Sequence, residues 1–289
     1  MKKNIGSMHA TRDILAAEGF RIKKHLGQNF LVDLNFLDKI VAAAGITSAT
    51  DVIEIGPGLG ALTEKLLAKA RRVLAYEIDA ELLPILRENL PDRERFVLLH
   101  KDILDADIDH DIETHLPGAN EVIVVANLPY YITTPILMRF LETSHRIQKI
   151  VIMVQAEVAQ RIASKPDSKD YNALSVVINY RARTRILFGV PRTVFVPKPN
   201  VDSAVVELLV GDPPFGKPKD EPGFFALVHH CFAQRRKTLM NNLRQAYPAW
   251  SRAEIENLLT ECQLNLDVRA EALDIPAFVR LADAVGRKA

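Results

Sequence analysis

The sequence predicts an α/β protein with a doubly wound, mostly parallel sheet, followed by a small all-helical C-terminal domain. Three observations predict this class. Short apolar stretches alternate with helix-like segments up to Val210, a Pro- and Gly-rich stretch follows, and only helical patterns come after it. With 48% apolar and 25% charged residues, the 289-residue chain has the usual balance of a protein that buries a core. The predicted domains are residues 1–210 and 211–289.

Eight segments have the apolar, β-branched composition of strands. They are residues 51–55, 73–77, 96–100, 121–126, 150–154, 173–180, 184–190 and 203–210. The core of 121–126 is apolar throughout, as in a strand covered on both faces of a sheet. Ligands of doubly wound sheets bind beyond the carboxyl ends of the strands, so we expect the functional side chains there.

Apolar residues at helical spacing predict helices between and after these strands. The predicted helices are residues 34–44, 61–70, 81–89, 135–143, 156–163, 223–247, 251–263 and 276–285. Gly45 is the expected end of the first helix. Residues 211–218 are rich in Pro and Gly and predict a linker between the two domains.

The net charge of +1 does not select a partner, but the charges are unevenly distributed. Basic residues cluster at 21–25, 181–185 and 235–237, and acidic residues cluster at 102–113. Each cluster is either a solvated face or, for the basic ones, a nucleic-acid contact. No stretch reaches the ~18 apolar residues that a membrane span needs, so we expect no membrane partner.

The cysteines predict no metal site. Cys231 and Cys262 are far apart in sequence, and neither has the spacing of a metal ligand. His229 and His230 precede Cys231, but neighbouring residues of a helix point in different directions. We therefore expect two reduced thiols in a cytoplasmic protein.

Glycines and carboxylates follow the first strands in a pattern typical of nucleoside binding. Residues 54–60 read Glu-Ile-Gly-Pro-Gly-Leu-Gly, and Gly56 and Gly58 let the backbone turn tightly and approach a cofactor. Glu77 ends the next strand, where a carboxylate can accept hydrogen bonds from both ribose hydroxyls. Asp102 follows the third strand, where it can accept one from the adenine amine. This pattern alone leaves a nicotinamide cofactor and S-adenosylmethionine both open.

The tetrapeptide Asn127-Leu128-Pro129-Tyr130 follows the strand at 121–126 and predicts methylation of an exocyclic amine. The lone pair of such an amine is delocalised into the purine. Two acceptors that bind its hydrogens, the Asn127 side-chain oxygen and the Leu128 carbonyl, favour a pyramidal nitrogen and stabilise the charge that develops during attack. Pro129 restricts Leu128 to an extended backbone, and Tyr130 offers a face for an unstacked base. The alternative is a proline turn without a catalytic role.

A second aromatic lies in a proline-stiffened loop at residues 194–203. We expect Phe195 to be exposed there and to cover the other face of the flipped base. The alternative is a loop residue that packs into the core.

Together the motifs resemble the ribosomal RNA adenine N6,N6-dimethyltransferases of the bacterial KsgA type. The resemblance covers about residues 24–243 and rests on five motifs. These are Lys-His-Leu-Gly-Gln-Asn-Phe-Leu at 24–31, the glycine motif at 54–60, Asn-Leu-Pro-Tyr-Tyr at 127–131, Phe-Val-Pro-Lys-Pro-Asn-Val-Asp-Ser at 195–203 and Phe-Ala-Gln-Arg-Arg-Lys-Thr-Leu at 232–239. The resemblance implies a Rossmann-like class I methyltransferase sheet and S-adenosyl-L-methionine as methyl donor.

The resemblance also implies roles for single residues. It implies cofactor contacts from Asn29, Leu31, Gly56, Glu77, Asp102 and Asn127, and base contacts from Tyr130 and Phe195. The implied substrate is a pair of adjacent adenosines in a hairpin loop near the 3′ end of small-subunit ribosomal RNA, each dimethylated on N6 in an immature small subunit. Arg235, Arg236 and Lys237 would hold RNA phosphates, unless they form only a solvated helix face.

Four other functions are alternatives to this interpretation of the sequence. A large-subunit RNA methyltransferase that confers antibiotic resistance would share the chemistry. DNA adenine methyltransferases more often carry Pro in place of Leu128. A non-catalytic RNA-binding assembly factor would have no need of an intact Asn127 and Glu77, and a dehydrogenase would need a catalytic His, Lys or Tyr arrangement that the sequence does not provide. We expect a monomer, because no extra apolar face is evident.

Overall fold

The computed structural model describes residues 4–20, 22–23, 26–211 and 216–288. The chain divides into two compact units, a sheet unit of residues 1–159 and 185–210 and a helical unit of residues 160–184 and 211–289. This division differs from the predicted domains, because residues 160–184 pack with the C-terminal helices. The predicted linker lies partly outside the described residues, which omit 212–215. None of the described helices is long and apolar enough to cross a membrane.

In the part of the chain that the structure describes, nine strands form two sheets. They are β1 (Phe30–Leu31), β2 (Thr50–Ile55), β3 (Arg72–Glu77), β4 (Phe96–His100), β5 (Glu121–Asn127), β6 (Ile147–Gln155), β7 (Ala182–Val190), β8 (Phe195–Val196) and β9 (Ser203–Val210). The main sheet has the order β4-β3-β2-β5-β6-β9-β7. Strands β4, β3, β2, β5 and β6 are parallel, and β9 is antiparallel to β6. A separate antiparallel pair joins β1 to β8.

The centre of the main sheet is buried on both faces. Every residue of β2 is buried, and so are the five central residues of β5, which confirms the apolar strand predicted there. Asp51 is a polar exception in β2. Its carboxylate accepts two hydrogen bonds of 3.0 Å from the Arg72 guanidinium of β3, so the buried charge is paired. The parallel strands therefore present their carboxyl ends at one edge, where a ligand site forms.

Twelve α-helices accompany these strands in the described residues. They are α1 (Met8–Ala17), α2 (Leu34–Ala44), α3 (Ala61–Leu67), α4 (Leu82–Asn89), α5 (Ile108–His115), α6 (Thr133–Thr143), α7 (Ala156–Ile162), α8 (Ala173–Arg181), α9 (Glu221–Cys231), α10 (Leu239–Ala246), α11 (Arg252–Glu261) and α12 (Ile275–Gly286). Helix α2 shows the local rules well. The Asp33 side chain caps its first N–H groups, and Gly45, at φ 67°, ends it as predicted.

The strand predicted at residues 173–180 is wrong, because this segment is helix α8. Its side chains are almost all buried, so the sequence shows an apolar run without the period of an amphipathic helix. Asn172 and Ser175 form a reciprocal capping box that starts the helix. The hydroxyl of Tyr180 and the guanidinium of Arg181 both bond Glu221 of α9, at 2.5 and 2.7 Å. These bonds and the packing of α8 on α9 explain why α8 belongs to the helical unit.

The single helix predicted at 223–247 is two helices, α9 and α10. The chain leaves the helix after Cys231, and Thr238 caps the start of α10 through a bond from the Asn241 N–H. Asn242 stabilises the intervening turn, because its Nδ2 donates to the Cys231 carbonyl at 2.8 Å. The basic residues predicted on a helix face therefore lie on a turn.

Candidate active site

A cavity opens in the sheet unit at the carboxyl ends of β2, β3 and β5, where the fold class predicts a ligand. The segment around β1 forms part of its wall. The predicted site residues that line the cavity are Asn29, Leu31, Gly56, Gly58, Glu77, Asp102, Asn127, Leu128 and Tyr130. The structure thus brings together side chains that are up to about a hundred positions apart in sequence.

The glycine turn after β2 exposes backbone to the cavity. Gly56 and Gly58 have φ values of 63° and 59°, in the left-handed region that favours glycine. A Cβ atom at Gly58 would lie 3.0 Å from the Phe30 ring, so a side chain there would crowd the wall of the cavity. The Gly58 N–H lies 3.4 Å from the Glu77 carboxylate, which joins the turn to the end of β3.

Glu77 is only 5% exposed, and its carboxylate faces the glycine turn. Its Oε1 accepts a hydrogen bond of 2.8 Å from the Asp79 N–H. Burial raises the pKa of Glu77 to about 7, although the N–H groups of Asp79 and Gly58 act in the opposite direction. A carboxylate in this position can accept hydrogen bonds from hydroxyl groups of a ligand.

Glu54 is a functional candidate that the sequence analysis missed. It lies in β2, is 1% exposed and lines the cavity, and its Oε2 has no hydrogen-bond partner in the described chain. Burial raises its pKa to about 8, and the nearby Glu77 raises it further. An orphaned buried acceptor on a cavity wall fits a cationic or hydrogen-bond-donating ligand. The available signal was a carboxylate one residue before the end of a buried strand.

Asp102 follows β4 and lies half-buried at the cavity wall. Its Oδ1 accepts the Leu104 N–H at 2.9 Å, which fixes the side chain and leaves the second oxygen for a ligand. Tyr131, a second residue that sequence reasoning did not assign, also lines the cavity and is 55% exposed. The motif at 127–131 contained it, but nothing in the motif distinguished an exposed ring from a buried one.

Asn127 is held in a fixed orientation at the end of β5. Its Nδ2 donates to the Asn29 carbonyl at 3.1 Å, and the Asn29 side chain in turn donates to the Gly27 carbonyl at 2.9 Å. Within the described ranges no hydrogen bond reaches the Asn127 Oδ1. The amide oxygen is therefore an acceptor available to a ligand in the cavity, and its predicted role toward the target amine stays a prediction.

The turn after Asn127 is anchored to the sheet. The Leu128 side chain is buried, and its N–H donates to the Met153 carbonyl of β6 at 3.2 Å. The Thr133 hydroxyl donates to the Pro129 carbonyl at 3.1 Å. Tyr130 begins a short 3₁₀ turn and is half-buried at the cavity, with its hydroxyl 2.7 Å from the Ser203 Oγ.

The expected exposure of Phe195 is wrong. Phe195 is 2% exposed and belongs to the core of the sheet unit. The reason is a pairing that the sequence did not reveal. Strand β8 pairs with β1, which sets Phe195 opposite Leu31 and turns its ring into the core. Phe195 does not line the cavity, so this conformation supports the alternative of a core residue.

The segment before β1 is tied to the end of β3 by polar contacts that sequence reasoning also missed. Lys23 Nζ and Gln28 Nε2 both donate to the Asp79 carboxylate, at 2.7 and 2.8 Å. The Gln28 side-chain oxygen accepts the Lys23 N–H at 2.7 Å. The Asp79 N–H donates to Glu77, the residue predicted to bind the ribose hydroxyls. These contacts therefore connect the cavity wall around Asn29 to Glu77. Arg21, Lys24 and His25 of the predicted basic cluster lie outside the described residues.

The residues predicted to contact RNA phosphates belong to the helical unit. Arg235, Arg236 and Lys237 are exposed on the turn between α9 and α10. Arg235 Nε lies 3.7 Å from a Glu271 carboxylate oxygen, a long and solvent-exposed ion pair. Both cysteines are free and buried.

A parallel sheet with a glycine turn after β2, a carboxylate at the end of β3 and Asn-Leu-Pro-Tyr after β5 defines an S-adenosylmethionine-dependent class I methyltransferase of Rossmann-like fold. The sequence profile of the ribosomal RNA adenine dimethylase family matches residues 19–285. The chain therefore belongs to this family and is an adenine dimethyltransferase that uses S-adenosylmethionine.

Individual proteins agree with this assignment. A ribosomal RNA small subunit methyltransferase A of Bacillus pumilus is 47% identical over 287 residues, which cover 99% of this chain and 98% of that one. A solved dimethyladenosine transferase from Plasmodium falciparum has the same fold, with a TM-score of 0.69, 24% identity, and coverage of 86% of this chain and 94% of that one. The solved 23S rRNA methyltransferase ErmE is 26% identical and superimposes with a TM-score of 0.60. The match covers 89% of this chain and 99% of that one.

Proposed function

We propose that this enzyme dimethylates N6 of two adjacent adenosines in a hairpin loop near the 3′ end of small-subunit ribosomal RNA. One observation carries the chemistry: Asn127 donates through its Nδ2 to Asn29, which leaves its oxygen as an acceptor in the cavity beside the glycine turn. The 47% identical relative, a small-subunit RNA methyltransferase, supports the choice of RNA.

The residues of the cavity fit S-adenosylmethionine. The backbone of Gly56 and Gly58 would cradle the cofactor, Glu77 would bind the ribose hydroxyls, and Asp102 would bind the adenine amine. Asn29 and Leu31 would contact the cofactor from the β1 side, and the orphaned Oε2 of Glu54 would receive its ammonium group, directly or through water. When bound, the cofactor supplies an electrophilic methyl group on a sulfonium.

The turn after β5 would hold the target amine. The Asn127 Oδ1 and the Leu128 carbonyl would accept its two N–H groups and so pyramidalise the nitrogen. Because the Leu128 N–H is anchored on β6, its carbonyl is held before the substrate binds. No base needs to act before attack, since the proton leaves a nitrogen that has become acidic. Tyr130 would stack on the unpaired base, which single-stranded loops present at low cost.

The helical unit, including the turn that carries Arg235, Arg236 and Lys237, would bind RNA. Their side chains are exposed and positively charged, and contacts of this kind hold phosphates without reading sequence. We propose further that the enzyme works as a cytoplasmic monomer on an immature small subunit. Light scattering of the purified chain tests the monomer, and methylation of naked RNA against immature subunits tests the substrate form.

The direct test is methyl transfer to immature small subunits, followed by mass mapping of the product. We expect N6,N6-dimethyladenosine at two adjacent positions in one hairpin loop near the 3′ end. Large-subunit RNA is the matched control, because the similarity to ErmE makes it the natural second substrate. Dimethylation of large-subunit RNA instead, or modification of a different atom, would contradict the proposal.

A further inference from the structure

We propose that Ser203 is a positioning residue, which fixes the ring of Tyr130 as the stacking surface for the target base. The proposal rests on the proposed function, because it concerns the orientation of a base in the methylation site. It adds to that function a residue outside the cavity lining. Ser203 is the last residue of the loop motif at 195–203. The Phe195 ring was expected to give this motif its function, but that ring is buried in the core.

The contact between the two hydroxyls is short and built on a rigid support. The Tyr130 Oη lies 2.7 Å from the Ser203 Oγ, and Ser203 is 1% exposed. Ser203 is the first residue of β9, opposite Gln155 in the ladder with β6. On its other side, the Asp202 carbonyl accepts the Ala156 N–H at 3.0 Å. The serine therefore has little freedom to move.

Tyr130 needs such a support, because its ring projects from a short turn at the cavity wall. The backbone fixes one end of the side chain through the anchored Leu128 and Pro129, and the hydroxyl contact fixes the other. A ring held at both ends does not lose rotational freedom when a base stacks on it. A fixed ring face also fixes the direction of the amine relative to the acceptors, which lie two and three residues before it in sequence.

The environment of the hydroxyl favours a structural role over proton transfer. Burial raises the pKa of Tyr130 above its ordinary value of 10; the Ser203 hydroxyl lowers it, and the nearby Asp202 carboxylate raises it. The phenol thus stays protonated at neutral pH and remains hydrogen bonded to the serine. This matches a chemistry in which no base is required before attack.

A double-mutant cycle tests the proposal. The variants are Ser203→Ala, Tyr130→Phe and the double variant, with single-turnover methyl transfer, cofactor affinity and RNA affinity measured for each. Loss of one hydrogen bond should slow methyl transfer about threefold to tenfold in each single variant, with cofactor affinity unchanged. The double variant should be no slower than the slower single variant, because both changes remove the same contact.

Ser144→Ala is the matched control, because Ser144 is also buried and its hydroxyl bonds a side chain, Asp109, at 2.5 Å, but it does not line the cavity. It should leave the methyl-transfer rate unchanged. A second readout uses an RNA with 2-aminopurine at the target position, whose fluorescence is quenched on stacking. The single variants should bind this RNA with weaker quenching than the wild type.

The outcomes separate the two proposals. If the wild type does not methylate adenine N6, the proposed function fails. If the wild type is active but the two single effects multiply in the double variant, or Tyr130→Phe retains the full rate and quenching, the role of Ser203 is overturned. Should Ser203→Ala not fold, Tyr130→Phe still decides through its rate and its quenching.

Discussion

Tyr130 and Phe195 are the two aromatic residues expected to enclose the target base, and the structure places them in different environments. Tyr130 lines the cavity and is held by Ser203. Phe195 is buried in the core behind the β1–β8 pair. In the sequence the two residues look alike, because each is an aromatic residue in a predicted loop that contains proline. The difference is set by a pairing between segments more than 160 residues apart, so the local motif does not determine which ring faces the ligand.

The largest expected effect in this comparison is on stability at Phe195. Phe195→Ala should lower the free energy of unfolding by about 3–5 kcal/mol, because it leaves a cavity in the core. Denaturant unfolding measures this, and Phe195→Leu, which keeps most of the volume, should lose less. If Phe195→Leu abolished methyl transfer while stability stayed close to wild type, Phe195 would have to leave the core to contact the base.

Tyr130 should show the opposite pattern. Tyr130→Ala removes the stacking surface, so it should raise the activation free energy for the RNA by about 1–3 kcal/mol and lower kcat/KM roughly 5-fold to 150-fold. It should cost less stability than Phe195→Ala, because the Tyr130 ring is only half-buried. Tyr131→Ala tests whether the effect is specific to Tyr130, because the Tyr131 ring lines the same cavity but is mostly exposed and is not held by Ser203. Equal losses in the two variants would remove the special role of Tyr130.

The sequence predicted the fold class and where the candidate site lies, but not the features that depend on distant partners. The parallel strands and the residues at their carboxyl ends were predictable, because apolar runs, glycines and carboxylates are local signals. The helix α8 was not, since its buried run has no helical period. The burial of Phe195 was not, since it depends on the partner strand. Glu54 was not singled out within the glycine motif, although it lines the same cavity and its Oε2 has no hydrogen-bond partner in the described chain.

Glu54 can be compared with Phe195 in the same way, because both side chains are buried but only Glu54 lines the cavity. Burial raises the pKa of Glu54 to about 8 and that of Glu77 to about 7. In the unfolded chain both ionise near the ordinary value, so the cofactor-free protein should lose stability as pH rises from about 4.5 through 7 to 8. A cationic cofactor favours the ionised forms, so its affinity should rise by at least about tenfold between pH 6 and 8 and level off about one pH unit higher. Calorimetry in buffers of different ionisation enthalpy should detect proton release on binding.

Glu54→Gln provides the control for this pH dependence. The variant should show a flatter affinity profile and release fewer protons on binding. An unchanged dependence of affinity on pH would show that Glu54 does not contact the cofactor. Its burial at the cavity wall would then have no more effect on binding than burial in the core.

The smallest effect is expected outside the cavity altogether, on the exposed turn of the helical unit. Arg236→Gln should weaken RNA binding and lower the slope of log affinity against log salt by about 0.7–0.9, the effect of one phosphate contact. The single-turnover rate on saturating RNA should stay at the wild-type value. A variant with an unchanged salt slope would assign Arg236 to a solvated face.

The most direct test of the methyl-transfer geometry is the Asn127→Ala variant. Its single-turnover rate of methyl transfer to immature small subunits, measured beside its affinity for S-adenosylhomocysteine, separates catalysis from cofactor binding. We predict a loss of methyl transfer of at least about a hundredfold, because one of two acceptors for the amine is gone, with cofactor affinity largely retained. Full activity in Asn127→Ala would contradict the assignment of the turn after β5 as the site that holds the adenine amine.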